Sequence, residues 1–245
     1  MMPVKNIEVI DFSDKDLDSL DILSLFGNYS HDEIVFIYLG KQDYKPMWKF
    51  QKVIHNEVKN NNIPNIIIYL EHSHVYTFGK NSNKDYLLSN YPENVDIVDS
   101  DRGGQVTYHG PGQLIGYPIL NLNYFNKSIS WYMRSLENVI IDTLKSFEIQ
   151  SKRKDGLTGV WVEDEKICAM GVRISKWVTM HGFALNVKPE MKYYDSMIPC
   201  GIFDYGVTSM SQILGSDISK FDLMDTVSES FINSLLKCIS CTILA

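Results

Sequence analysis

Residues 102–122 read R-G-G-Q-V-T-Y-H-G-P-G-Q-L-I-G-Y-P-I-L-N-L, five glycines and two prolines set among an arginine, a threonine, a histidine and two glutamines. Such glycine density brings backbone close to another group, or into angles closed to other residues. Neither a helix nor an ordinary core strand is built this way. A plain surface turn leaves the interleaved Arg102, Thr107, Tyr108, His109 and Gln113 without a purpose. A loop wrapped on a ligand accounts for both sets of residues. The β-like run at 117–122 follows at once and ties the loop to a sheet.

Working outward, 34–39 is β-rich and stops at Gly40, and a helix is expected over 44–60, where Met47, Phe50, Ile54 and Val58 recur at three- and four-residue steps. The nearly unbroken apolar run 63–70 is the pattern of a strand covered on both faces. Shorter strands are expected at 75–78, 95–98, 105–109 and 116–122. Ser130 is placed to cap a helix reaching about 147, with Met133, Leu136, Val139, Ile140 and Leu144 on one stripe. Strands are expected at 159–162, 166–174 and 181–187, the first two joined by a turn at Asp164 and Glu165. A last helix, 222–239, buries Leu223, Val227, Phe231, Leu235 and Ile239. Strands crowd the middle and helices bracket them, which defines an α+β fold with a mixed or largely antiparallel sheet and packed helices.

A chain of 245 residues with 44% hydrophobic content is sufficient for one two-layer domain, and no linker-like composition divides it. No apolar run approaches the ~18 residues of a membrane span, and the N-terminus lacks the basic-then-apolar plan of a secretory signal. The expectation is a cytoplasmic protein without a membrane partner. Cys168, Cys200, Cys238 and Cys241 are too few and too uneven for a disulfide framework, so reduced thiols are expected, and the Cys238/Cys241 spacing reads as incidental. The net charge of −7 argues against a nucleic-acid partner. Asp11, Asp14, Asp16, Asp18 and Asp21 crowd an acidic segment over 1–30. Lys152, Arg153 and Lys154 form a basic run that is either a solvated face or a contact for an acidic protein.

Cys200 lies in I-P-C-G-I, between a residue that fixes the backbone and one that frees it. That is the layout of a nucleophile with an adjacent unhindered N–H, and equally compatible with a buried structural thiol. Lys166 leads into the small and apolar Ile167, Cys168, Ala169, Met170 and Gly171. It is either a strand-end lysine with its head in water or a partly desolvated base. Residues two apart on a strand share a face, which makes Cys168 a competing partner for Lys166; its apolar surroundings would raise its thiol pKa, which favours Cys200. His72 and His74, on one expected strand face, could imitate a zinc site with His109 or His181. Carboxylate or cysteine ligands at local spacing are missing, so no metal is expected, and His109 and His181 fit better as pocket walls.

With these residues in view, the chain resembles the lipoyl(octanoyl) transferase family, also called lipoate-protein ligase B. The resemblance rests on 102–118, on 159–187 (G-V-W-V-E-D-E-K-I-C-A-M-G-V-R-I-S-K-W-V-T-M-H-G-F-A-L-N-V) and on P-C-G-I at 199–202. Weaker matches are Glu71-His72, Val75-Tyr76-Thr77 with Gly79, and the helix start 44–51. It implies the fold of biotin and lipoate protein ligases, one catalytic domain over 31–245 and no cofactor. It implies transfer of an octanoyl group from octanoyl-acyl carrier protein to a lysine of apo lipoyl domains, those of glycine cleavage H protein and 2-oxoacid dehydrogenase E2 subunits. It places the acyl-thioester on Cys200 and its activating lysine on Lys166. Acyl-binding positions fall on Arg102, Gly103, Gly104, Gln105, Val106, Thr107, Tyr108 and His109, on Ala169, Met170 and Gly171, and on Gly182, Phe183 and Ala184. Three features depart from the family: Cys168 replaces an alanine, Ser73 and His74 stand where proline is common, and the acidic segment precedes the family core. The alternatives are an ATP-dependent lipoate or biotin ligase, which needs no nucleophilic cysteine, a cysteine hydrolase, and a silent acyl-protein binding module.

Overall fold

The computed structural model describes residues 9–80, 82–198 and 205–242. The main sheet contains strands β1 (Val9–Asp11), β2 (Ile34–Gln42), β3 (Asn65–His72), β7 (Gln113–Ile119), β8 (Lys152–Lys154), β9 (Leu157–Val162), β10 (Glu165–Ser175) and β11 (Val178–Asn186), in the order β1-β2-β3-β7-β11-β10-β9-β8. β1, β2 and β3 run parallel, while β3–β7, β7–β11, β11–β10, β10–β9 and β9–β8 are antiparallel. A smaller sheet holds β4 (Val75–Phe78) between β5 (Asp96–Asp99) and β6 (Thr107–His109). The expected mixed sheet is therefore present. β3 sits centrally between β2 and β7, which is why its sequence is apolar on both faces.

Helices cover both faces of the main sheet. α1 (Ile22–Phe26) and α2 (Tyr44–Lys59) close one core, where Met47, Phe50, Ile54 and Val58 meet Ile37, Ile66 and Ile68. α3 (Ile129–Ser146) and, after the short α4 (Met210–Leu214), α5 (Lys220–Thr242) close the other, with Leu136, Ile140, Val227 and Phe231 against Phe36, Tyr69 and Phe183. The acidic segment is amphipathic: Leu17, Ile22 and Phe26 enter the core, while Asp16 and Asp21 accept backbone N–H groups at its helical turns.

Several expected positions shift. The cap of α3 is Ser128, not Ser130: it is extended (φ −137°) and accepts the Trp131 N–H at 3.2 Å, whereas Ile129 is already helical. β6 keeps only Thr107–His109 of the expected 105–109, and the following strand occupies 113–119 rather than 116–122. Gly112 (φ +84°) turns the chain there, and its carbonyl accepts the N–H groups of Val187 and Lys188. β10 opens at Glu165, one residue early. The basic run forms β8, where Arg153 pairs with the buried Glu137 (2.8 Å) and Lys154 with Asp164 (2.6 Å).

Candidate active site

The glycine-rich loop lies between β4, β6 and β10 and is anchored by the buried Arg102. Its Nε and Nη2 donate to the Thr77 hydroxyl at 3.2 and 2.8 Å, Nη2 also to the Thr77 carbonyl, and Nη1 to the Gly103 carbonyl at 2.9 Å. The Gly103 N–H donates to the Val172 carbonyl at 3.0 Å. A Cβ on Gly79 would sit 2.0 Å from the Gly104 carbonyl oxygen, and one on Gly171 2.8 Å from that of Gly103. Here glycines let the loop backbone press against the strands.

Beside the loop is a small, partly open cavity walled by Arg102, Thr107 and His109 from the loop, by Ala169, Met170 and Gly171 from β10, and by Gly182, Phe183 and Ala184 from β11. Tyr44, Tyr117 and His181 complete it. Ala169 pairs directly with Ala184, so two small side chains face each other across the strands. A second small cavity includes Val106, Lys166, Asn186 and Tyr194, and it shares Thr107 and Ala169 with the first. Gly103, Gly104, Gln105 and Tyr108 line neither cavity. Gln105 instead accepts the Asn83 N–H (3.0 Å), and the Tyr108 ring stacks on Tyr193.

His109 and His181 wall the first cavity, and burial lowers the pKa of both rings. His181 adopts φ +59°, a conformation rare for a side-chain-bearing residue, and is held by Gln51, which accepts its N–H at 3.0 Å. Burial raises the Asp101 carboxyl, but the His181 hydrogen bond and the Arg173 charge outweigh it and hold it below the usual range. Ionised Asp101 therefore accepts from His181 Nε2 (2.7 Å), and Nδ1 is left as a buried acceptor. His72 ends β3 while His74 precedes β4, so the two do not share a strand face. His72 donates Nδ1–H to the Gln42 carbonyl (2.8 Å), leaving Nε2 to accept from Tyr117 (2.7 Å), and burial brings its pKa down to about 4. His74 Nδ1 bonds the Tyr108 hydroxyl at 2.7 Å. Among the described residues no cluster of three or more His, Cys, Asp or Glu side chains could hold a metal.

Lys166 is 8% exposed, with its ammonium 4.8 Å from the centre of the Trp161 ring. The expectation that Lys166 and Cys168 share a face fails, because a bulge interrupts β10: Lys166 pairs with Trp161 and Cys168 with Val160. The extra residue breaks the two-residue alternation. Lys166 faces the second cavity, and Cys168 packs into the α3–α5 core, where burial pushes its thiol pKa well up. Gly159 (φ +122°) makes this possible, since a Cβ there would lie 2.6 Å from the Cys168 carbonyl oxygen and 3.4 Å from Lys166 Cε.

Cys200, with Pro199, Gly201 and Ile202, lies outside the described residues. The flanking Met197 and Val207 both line the Lys166 cavity. β12 (Gly206–Val207) pairs with β10 at Glu165 and Lys166, filling the edge that β11 occupies from Cys168 onward. Sequence reasoning missed Gly159, Asp101, Asn186 and Tyr194. The sole signal for Asn186 was a polar residue ending an apolar strand.

The mixed sheet with helices on both faces is the fold of lipoate and biotin protein ligases. A putative lipoate protein ligase from Thermoplasma acidophilum superposes with a TM-score of 0.66 at 12% identity, over 84% of this chain and 86% of that one. The Aquifex aeolicus biotin protein ligase solved with biotin and ATP superposes with a TM-score of 0.51 at 16% identity, over 84% and 71%. Residues 43–232 match the lipoyl protein ligase A/B catalytic domain, and the chain belongs to that family. Its relatives include an octanoyltransferase of Cytophaga hutchinsonii, 43% identical over 204 residues (74% of this chain, 84% of the relative). A chloroplastic octanoyltransferase of Arabidopsis thaliana is 43% identical over 203 residues (77% and 72%). The chain is an acyltransferase of this group.

Proposed function

We propose that the protein transfers an octanoyl group from octanoyl-acyl carrier protein to a lysine of apo lipoyl domains, such as glycine cleavage H protein and 2-oxoacid dehydrogenase E2 subunits, through a Cys200 thioester. The observation that carries this is the pair of cavities meeting at Thr107 and Ala169, one lined by Lys166 and both flanks of the Cys200 segment, the other opened on its β10–β11 side by the small residues Ala169, Gly171, Gly182 and Ala184. Lys166 takes the Cys200 proton, and the thiolate attacks the donor carbonyl. The carrier sulfur leaves and recovers the proton from Lys166. The neutral ε-amine of the acceptor then attacks the acyl-enzyme, an amide bond forms, and the amine proton returns to the departing Cys200 sulfur. Thioester exchange is nearly neutral and amide formation downhill, so ATP is unnecessary. Burying about six methylenes at ~0.8 kcal/mol each favours octanoyl over short acyl groups by about 5 kcal/mol.

The reaction needs only groups carried by residues 31–245 and two diffusing protein partners, consistent with one catalytic domain in the cytoplasm. Among the described residues no helix is long and apolar enough to cross a membrane. Intact mass after mixing with octanoyl-carrier tests the reading. The native chain and Cys168→Ala should gain one octanoyl group and Cys200→Ala none, and apo lipoyl domain should then discharge it. An adduct lost only in Cys168→Ala, or release as free octanoate, would overturn it.

A further inference from the structure

Asn186 ends β11 and is buried, opposite Gln113 of β7. Its carboxamide makes three hydrogen bonds whose direction is fixed. The Gly110 N–H occupies Gln113 Oε1 (3.2 Å), so Gln113 Nε2 donates, and Asn186 Oδ1 accepts it at 2.9 Å. The Tyr194 hydroxyl donates to the same oxygen at 2.7 Å. On the other side, Asn186 Nδ2 donates to the Thr208 carbonyl at 2.9 Å, a group that can only accept.

Tyr194 belongs to the short helical turn Met191–Ser196 that leads into residues 199–204, and Thr208 directly follows the strand that leads out of them. Thr208 in turn donates its N–H to the Lys166 carbonyl at 3.1 Å. One carboxamide thus joins both flanks of the segment, and the second flank is bonded to the lysine's own backbone. Asn186, Tyr194, Met197, Val207 and Lys166 also line one cavity. An ammonium stabilises a thiolate only at short range, so on the roles given above a bond network that ties both flanks to the strand carrying Lys166 is where positioning of the pair is to be sought.

We propose that Asn186 is a positioning residue for the transfer reaction, stapling both flanks of the Cys200 segment at the spacing that lets Lys166 activate the thiol. This rests on the roles given to Cys200 and Lys166 above. Asn186 touches no reacting atom; it acts through Tyr194 and Thr208.

The test follows Cys200 alkylation by iodoacetamide against pH, by peptide mass, together with steady-state transfer from octanoyl-carrier thioester. The chains are the native protein, Asn186→Leu, Tyr194→Phe and the double variant. Asn186→Leu, with a native circular dichroism spectrum, should alkylate about tenfold more slowly at pH 7, with its midpoint moved upward. Its kcat should fall in step while KM for the donor stays within about twofold. Tyr194→Phe should move the same way by less, and the double variant should match Asn186→Leu, because both act through one network. A folded Asn186→Leu chain with the native midpoint, or a loss carried by KM alone, would overturn the assignment. Should Asn186→Leu fail to fold, Tyr194→Phe decides by the same midpoint. A native Cys200 with an ordinary thiol midpoint, near about 8.5, would instead overturn the Lys166–Cys200 reading and this proposal with it.

Discussion

In the acyl pocket proposed above, Ala169 is where chain-length selectivity is most open to perturbation. It borders both cavities and faces Ala184 across β10 and β11, so a longer side chain there projects into the passage between Lys166 and the space beside the loop. Ala169→Leu adds three carbons and displaces about three methylenes of a bound octanoyl chain. At ~0.8 kcal/mol each, about 2.4 kcal/mol of acyl binding is lost. At about 1.36 kcal/mol per decade this is roughly sixtyfold in kcat/KM. A butanoyl chain, short enough to stay on the Lys166 side, is little affected. Equal amounts of octanoyl- and butanoyl-carrier in competition, read as the mass ratio of acylated lipoyl domain, report that selectivity directly. The octanoyl preference should fall about sixtyfold with the native fold retained. A change under about threefold, or an equal loss for both chains, would place the acyl chain elsewhere.

Gly159→Ala should destabilise the fold by roughly 1–3 kcal/mol for the positive φ alone. Because its Cβ would also crowd Lys166 Cε at 3.4 Å, Cys200 alkylation at pH 7 should slow in the folded variant; urea unfolding and the alkylation rate check both effects. Acid should also destabilise the protein. Burial holds His72 and His109 below the ordinary histidine value, His72 at about 4. Between the unfolded value near 6.5 and the folded one, the unfolded chain binds more protons, so stability is full above about pH 6.5 and declines as pH falls. The two histidines together should give a slope of up to about 2.7 kcal/mol per pH unit, measurable by urea unfolding between pH 7 and 5. A flat profile would mean that these rings are charged or solvated in the native state.

Where one physical requirement dominated, the fold was legible in the sequence. Asn65–His72 is buried on both faces and reads as an apolar run, and Met47, Phe50, Ile54 and Val58 repeat at helical spacing because only one face of α2 is buried. Arg102, Thr107, His109 and Lys166 stood out because their chemistry clashes with their glycine-rich or apolar surroundings, whereas Ala169 entered only through the family resemblance. The bulge between Lys166 and Cys168 leaves no mark in composition, since it arises from pairing with β9, including Gly159. Ser128 and Ser130 are equally good caps by residue type, and only the backbone angle separates them. Asn186 was hidden for a different reason: its partners, Gln113, Tyr194 and Thr208, come from three separate stretches of chain.

That bulge also bears on the choice between two thiols. A lysine can hold a nearby cysteine as thiolate only where both share a site that keeps some solvent or polar contact, because burial in an apolar core costs the anion more than one positive charge returns. Cys168 meets the distance requirement in sequence and fails the environmental one in space. The Lys166 charge lowers its pKa, but burial dominates and the thiol stays protonated within the α3–α5 core. Placed one residue out of register by the bulge, Lys166 instead faces a cavity edged by Met197 and Val207, the flanks of P-C-G-I. The extra thiol therefore adds packing beside the site without competing for the base, which leaves Cys200, on the reading proposed above, as the thiol for Lys166 to activate.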